Sequence, residues 1–118
     1  MDMHFEGVVF HTYADELARR VEHAYPPFAI LDVRSQAEHD RLRIPGSLRV
    51  DADELTSFPE GIGESTELFV VGARHTDNEV RAAALALKEL GARRVVELTG
   101  GLWEWVRRGL PLEGSQAA

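Results

Sequence analysis

Residues 72–79, Gly72-Ala73-Arg74-His75-Thr76-Asp77-Asn78-Glu79, hold the densest set of side chains in this chain that could do chemistry. One imidazole and two carboxylates, His75, Asp77 and Glu79, fall within five residues. Such a set could ligate a divalent metal ion or supply a general acid and base. The same residue types also suit a plainer role. Asp77 or Asn78 can cap a helix, and Glu79 in a first helical turn complements the helix dipole. The plainer role is expected, with no metal centre and no cofactor. The other histidines (His4, His11, His23 and His39) are scattered and read as surface or hydrogen-bonded side chains. Cysteine is absent from the whole chain. That removes thiolate nucleophiles, thiolate metal ligands and disulfides.

The elements that must hold this loop are legible on both sides of it. Leu68-Phe69-Val70-Val71 reads as a buried strand running into Gly72. A helix should begin at Glu79, because Val80, Ala83, Ala84, Leu87 and Leu90 recur at helical spacing. Gly91 then stands where a helix commonly ends in a left-handed residue. Upstream, Val8–His11 is a short candidate strand. Thr12 is placed to cap a helix to about Ala24 that buries Leu17, Ala18 and Val21, with Asp15 as its capping-box partner. Pro26-Pro27 stops that helix. Phe28–Val33 is an apolar run suited to a strand buried on both faces. Ser35-Gln36-Ala37-Glu38 is a second capping box, and Ile44-Pro45-Gly46 is a turn leading to a strand over Ser47–Val50. Residues 51–66 are acidic and broken by Pro59, Gly61 and Gly63, with one helical turn at Asp53-Glu54-Leu55. Arg94–Leu98 is the last strand and Gly101–Arg108 the last helix. Trp105 should anchor the core and Trp103 should lie partly exposed. The tail after Glu113 should fray.

Strand and helix thus alternate, which gives an α/β fold with a roughly five-stranded, mostly parallel sheet and helices on both faces. Ligands in such folds bind beyond the carboxyl ends of the strands, where residues 72–79 lie. A length of 118 residues supports one domain, here residues 1–118 with a core over about 8–113 and short tails. The formal charge of -7 repels nucleic-acid phosphates and anionic lipid, so neither is expected as a partner. No stretch approaches the roughly 18 apolar residues of a membrane span. Met1–Glu6 has neither the basic start nor the apolar core of a secretory signal, so a cytoplasmic location is expected.

Three stretches together resemble the rhodanese-like domain, a sulfurtransferase fold. Leu31-Asp32-Val33-Arg34, Glu38 and Ile44-Pro45-Gly46-Ser47 are similar to the family's LDVR…E…HIPGA segment, with Arg43 where the family carries histidine. The strand and helix flanking residues 72–79 match its active loop. Leu98-Thr99-Gly100-Gly101-Leu102, Trp105 and Gly109-Leu110-Pro111-Leu112-Glu113 are similar to its L-x-GG-[IL]-x-x-W…GLP-x-E ending. The resemblance implies a C-x-x-G-x-R loop whose cysteine carries sulfur as a persulfide. Aligned from the strand, Ala73 stands at that cysteine. Aligned back from Gly91, Glu79 stands at the loop arginine. Five residues then intervene, one more than in the short sulfurtransferase loop. That spacing equals the one in rhodanese-related phosphatases, which need the same cysteine and arginine. Asp32 and Arg34 are expected to be structural neighbours of the site, closing a buried strand by charged hydrogen bonds.

The expectation is a rhodanese-like domain without the catalytic cysteine, non-catalytic and used for binding or regulation. Its partner would be a protein or small molecule meeting the loop Ala73–Glu79. The alternative is an enzyme or a metal- or small-ligand-binding domain built on His75, Asp77 and Glu79. A third reading is a degenerate subunit whose interface carries Trp103 or Phe58, consistent with a monomer or weak homo-oligomer.

Overall fold

The computed structural model describes residues 9–23, 26–74 and 78–117. Five strands form one sheet: β1 (Phe10–Thr12), β2 (Phe28–Asp32), β3 (Leu48–Arg49), β4 (Glu67–Val71) and β5 (Val95–Leu98). Their order is β1-β5-β4-β2-β3, and every pairing is parallel. Between them run helices α1 (Ala14–Glu22), α2 (Gln36–Arg41) and α3 (Asn78–Glu89), with α4 (Gly101–Arg107) after β5. The acidic stretch holds a single 3-10 turn at Ala52–Glu54.

Alternating side chains of the central strands feed two apolar layers. Ile30, Phe69, Val71, Val96 and Leu98 pack with Leu17 of α1 and with Leu102 and Trp105 of α4. Leu31, Leu68, Val70 and Val95 pack on the other face with Val80, Ala83, Ala84 and Leu87 of α3. Trp105 is 1% exposed, and its indole N–H donates to Pro111 O at 2.7 Å, so the polar end of the core anchor is satisfied. Leu90 and Phe58 lie partly buried against the α3 layer, which leaves Trp103 as the exposed aromatic of the two considered for an interface.

Two local expectations are corrected. Helix α1 starts after Tyr13 rather than Thr12, because Thr12 is still in the sheet, its carbonyl accepting from Thr99 N–H at 2.9 Å. Glu16, not Asp15, serves the cap, accepting from the Thr12 hydroxyl at 2.9 Å and from Tyr13 N–H at 3.4 Å. The chain after Glu113 is also pinned rather than frayed. Arg43 and Glu113 exchange backbone hydrogen bonds at 2.9 Å, and the N–H groups of Ser115 and Gln116 donate to Asp40 O and Arg41 O. Gly114, at φ +123°, allows the backbone to approach α2 this closely. Ala24, which ended the expected first helix, and His4 lie outside the described residues.

Candidate functional site

From β2 the chain passes through α2 to β3 on one side of the sheet, whereas from β4 it passes through α3 to β5 on the other. Adjacent strands whose connections diverge leave a crevice at their carboxyl ends. A cleft of about 250 Å³ lies there, lined by Val33, Arg34, Ser35 and Glu38 from the β2 side and Gly72, Ala73 and Glu79 from the β4 side. A second cleft of about 250 Å³ adjoins it, sharing Arg34, Glu38 and Ala73 and bounded by Arg74, Leu102, Trp103 and Val106.

The β2 wall is held by charge. Asp32 is buried at the strand end, and its Oδ1 accepts the Arg34 backbone N–H at 2.9 Å. The Arg34 guanidinium chelates the same carboxylate, Nε at 3.1 Å from each oxygen and Nη2 at 2.7 Å from Oδ2. Nη2 also donates to Leu42 O at 2.6 Å, while Arg49 Nε donates to Arg34 O at 2.9 Å. Both side chains are nearly buried, 2% and 7% exposed, so each supplies the counter-charge that makes the other's burial tolerable. This pair ties β2, the residue after α2 and β3 together. Arg34 therefore presents the clefts with a charge already neutralised.

Glu38 is fixed by the expected capping box. Its Oε1 accepts from Ser35 N–H at 3.1 Å and from Ser35 Oγ–H at 3.0 Å, and Glu38 N–H donates back to Ser35 Oγ at 3.1 Å. The hydrogen bond from the Ser35 backbone holds the Glu38 carboxyl below the ordinary carboxylate range. A carboxylate stabilised in its charged form is a poor proton acceptor.

The β4 wall is held by main chain. Val33 N–H donates to Val71 O at 3.0 Å. Leu102 N–H donates to Gly72 O at 2.9 Å, and Trp103 N–H donates to Ala73 O at 2.8 Å. Two of the orphan donors at the α4 N-terminus are thus spent on the loop carbonyls. Gly101 makes the approach possible, since a Cβ there would sit 2.7 Å from Gly72 O and 2.8 Å from Ala73 C. Ala73 and Arg74 are exposed at the mouth, and the Arg74 guanidinium lies 5.7 Å from the Trp103 ring centre.

Of the expected site residues, Ala73, Arg74, Glu79 and Arg34 line the clefts, Asp32 holds Arg34 in place, and Asn78 lines neither cleft. Asn78 opens α3 and Glu79 follows it, with no cationic partner for Glu79 among the described residues. His75, Thr76 and Asp77 lie outside the described residues. Among the described residues no three His, Asp or Glu side chains converge as metal ligands, and no helix is long and apolar enough to cross a membrane.

One charged cluster was not anticipated from sequence. Glu97 on β5 is 0% exposed and accepts from Arg81 of α3 at 2.8 and 3.3 Å, with His11 Nε2 of β1 at 2.9 Å. The signal was a carboxylate inside an otherwise apolar internal strand, which requires a cationic partner on the covering helix. Of the scattered histidines, His39 is buried, its Nε2 3.2 Å from Ser47 O and Oγ, and His23 Nδ1 lies 2.9 Å from Arg19 O.

The family model of the rhodanese-like domain matches residues 13–108, both cleft walls included. The chain belongs to the rhodanese-like domain family. Its structure superposes on the rhodanese-like domain from Anabaena sp. Alr3790 protein with a TM-score of 0.78 and 30% identity, covering 92% of this chain and 82% of that one. It superposes on the BH2092 protein from Bacillus halodurans with a TM-score of 0.81, covering 97% and 83% of the two chains, where 19% identity speaks for the fold alone. In sequence it is 26% identical over 76 residues to the "Putative sulfur carrier protein YrkF" of Bacillus subtilis (strain 168). That match covers 64% of this chain and 40% of YrkF, so this rhodanese-like domain spans less than half of that relative.

Proposed function

We propose that this chain is a catalytically silent rhodanese-like domain that works by binding or regulation. The observation that supports the reading is Ala73, the first exposed residue after β4, which lines the cleft and stands where the resemblance to the family implies the sulfur-carrying thiol. A methyl group offers no electron pair, and no residue of the chain is a cysteine. YrkF is named for sulfur carriage, and a carrier of the persulfide kind needs a thiol that this chain lacks.

The electrostatics of the mouth support the same reading. The family chemistry needs an anion-friendly loop, which Glu79 at the expected arginine position opposes. Arg34 is neutralised by Asp32, and Glu38 is held charged by Ser35. The cleft should accept thiosulfate, persulfide or phosphate poorly. The partner is then a protein or a small molecule that meets the mouth from outside. A thiosulfate:cyanide sulfurtransferase assay tests the proposal. Thiocyanate formation equal to a heat-killed control is expected, and formation above it would overturn the reading.

A further inference from the structure

A third cavity, of about 100 Å³, lies between α1 and α4 and shares no lining residue with the two clefts at Ala73. Ala18 and Val21 of α1, Trp105 of α4, and Pro45, Leu110 and Pro111 form its apolar wall. The N–H groups of this wall are already used. Pro45 and Pro111 carry none. Leu110 N–H donates to Trp105 O at 3.3 Å, and the Trp105 indole N–H donates to Pro111 O at 2.7 Å. The backbone N–H groups of Ala18, Val21, Glu22 and Trp105 lie beyond the first turn of their helices and are spent there. The one charged side chain lining the cavity is Glu22. It is the last residue of α1, where the helix dipole opposes a carboxylate. Arg20, in the same turn, is directed instead at His23 O, Pro26 O and the Glu67 carboxylate. Glu22 has no ion pair among the described residues.

We propose that this cavity is a binding site for a small aliphatic ammonium ion, with its hydrocarbon end against the apolar wall and its charge at Glu22. An anion finds no free N–H in the wall and is repelled by the Glu22 carboxylate. A neutral aliphatic molecule gains the apolar contact alone. A cation with a short hydrocarbon body gains both, and it supplies the counter-charge that Glu22 and the end of α1 lack. The volume sets the size. A dry cavity of about 150 Å³ holds benzene, so about 100 Å³ suits a branched group of about four or five carbons.

Isopentylammonium, isopentanol and isovalerate share one branched body and differ in charge. Each is titrated into the whole chain at low salt, and NMR follows the Trp105 indole N–H and the methyl groups of Ala18, Val21 and Leu110. Saturable shifts with Kd on the order of 10 mM are expected for the ammonium ion. The alcohol should bind roughly threefold more weakly, as one exposed charge pair allows, and isovalerate should not saturate. Glu22→Gln should bring the ammonium ion to the alcohol's Kd and leave the alcohol unchanged, a result that loosened packing would not give. No saturation by isopentylammonium up to about 100 mM would overturn the proposal. So would isovalerate binding as tightly as the ammonium ion, or a Glu22→Gln variant that keeps the full preference for it.

Discussion

Replacing Gly101 with alanine probes the contact that holds the β4 loop in place. Gly101 sits at φ +59°, and an added Cβ would lie 2.7 Å from Gly72 O, 2.8 Å from Ala73 C and 2.9 Å from Ala73 O. Left-handed backbone costs an L-residue roughly 1–2 kcal/mol. Relieving the contact must also move residues 72 and 73 away from α4. The hydrogen bonds from Leu102 N–H and Trp103 N–H to their carbonyls are then lost, at about 1 kcal/mol each. The total, roughly 3–4 kcal/mol, is a large part of the ~5–15 kcal/mol that holds a domain folded. It corresponds to a fall in Tm on the order of 10 °C. Gly109→Ala supplies the control, with φ +71° but nothing within 4 Å of the added carbon, so only the backbone cost applies. Urea denaturation followed by circular dichroism, run on both variants in one buffer, measures the difference. Equal losses for Gly101→Ala and Gly109→Ala would refute the close contact between α4 and the loop.

Three further outcomes are expected. Ser35→Ala should cost about 1 kcal/mol at pH 7 by removing the α2 cap. The Glu38 carboxyl titrates below its ordinary value of 4.5, so its stabilisation is present above that value and fades as pH falls. The Ser35→Ala deficit in urea titrations should therefore shrink below about pH 4. Arg81→Ala should cost roughly 2–4 kcal/mol, because Glu97 stays buried with His11 as its remaining partner, whereas Arg19→Ala on an exposed face should stay within about 0.5 kcal/mol. Paired thermal melts settle that comparison, and equal melting points would count against a stabilising Arg81–Glu97 pair. Ala73→Cys should give a thiol of ordinary sluggishness, while Ala73→Cys with Glu79→Arg should alkylate about tenfold faster at pH 7, one unit of thiol pKa. Equal iodoacetamide rates would mean that Glu79 does not act on position 73.

What could be read in the sequence was whatever depends on local spacing. The Ser35–Glu38 box, the turn at Ile44–Gly46, the α3 stripe of Val80, Ala83, Ala84 and Leu87, and the contrast between Trp103 and Trp105 all follow from neighbours a few residues apart. The Asp32–Arg34 pair was visible for the same reason. The misses are long-range. Thr12 could not reveal that β5 extends the sheet through its carbonyl, which moves the cap of α1 to Tyr13. Gly114 gave no sign that the tail folds back on α2. Glu97 looked like an ordinary strand residue until Arg81 and His11 arrived from two other elements. The cleft was legible as a loop but not as a volume, because Val33, Arg34, Ser35 and Glu38 meet Gly72, Ala73 and Glu79 only through strand order.

On the proposed reading, the cleft between β2 and β4 has lost the affinity for anionic sulfur substrates that the family chemistry needs. A thiosulfate titration followed by backbone amide NMR reads that directly at Gly72, Ala73, Arg74, Asn78 and Glu79. No saturable shift at these amides up to about 10 mM thiosulfate is the expected result, since that bounds any binding to weaker than about 3 kcal/mol. Saturable shifts confined to them, with a sub-millimolar Kd, would contradict the claim.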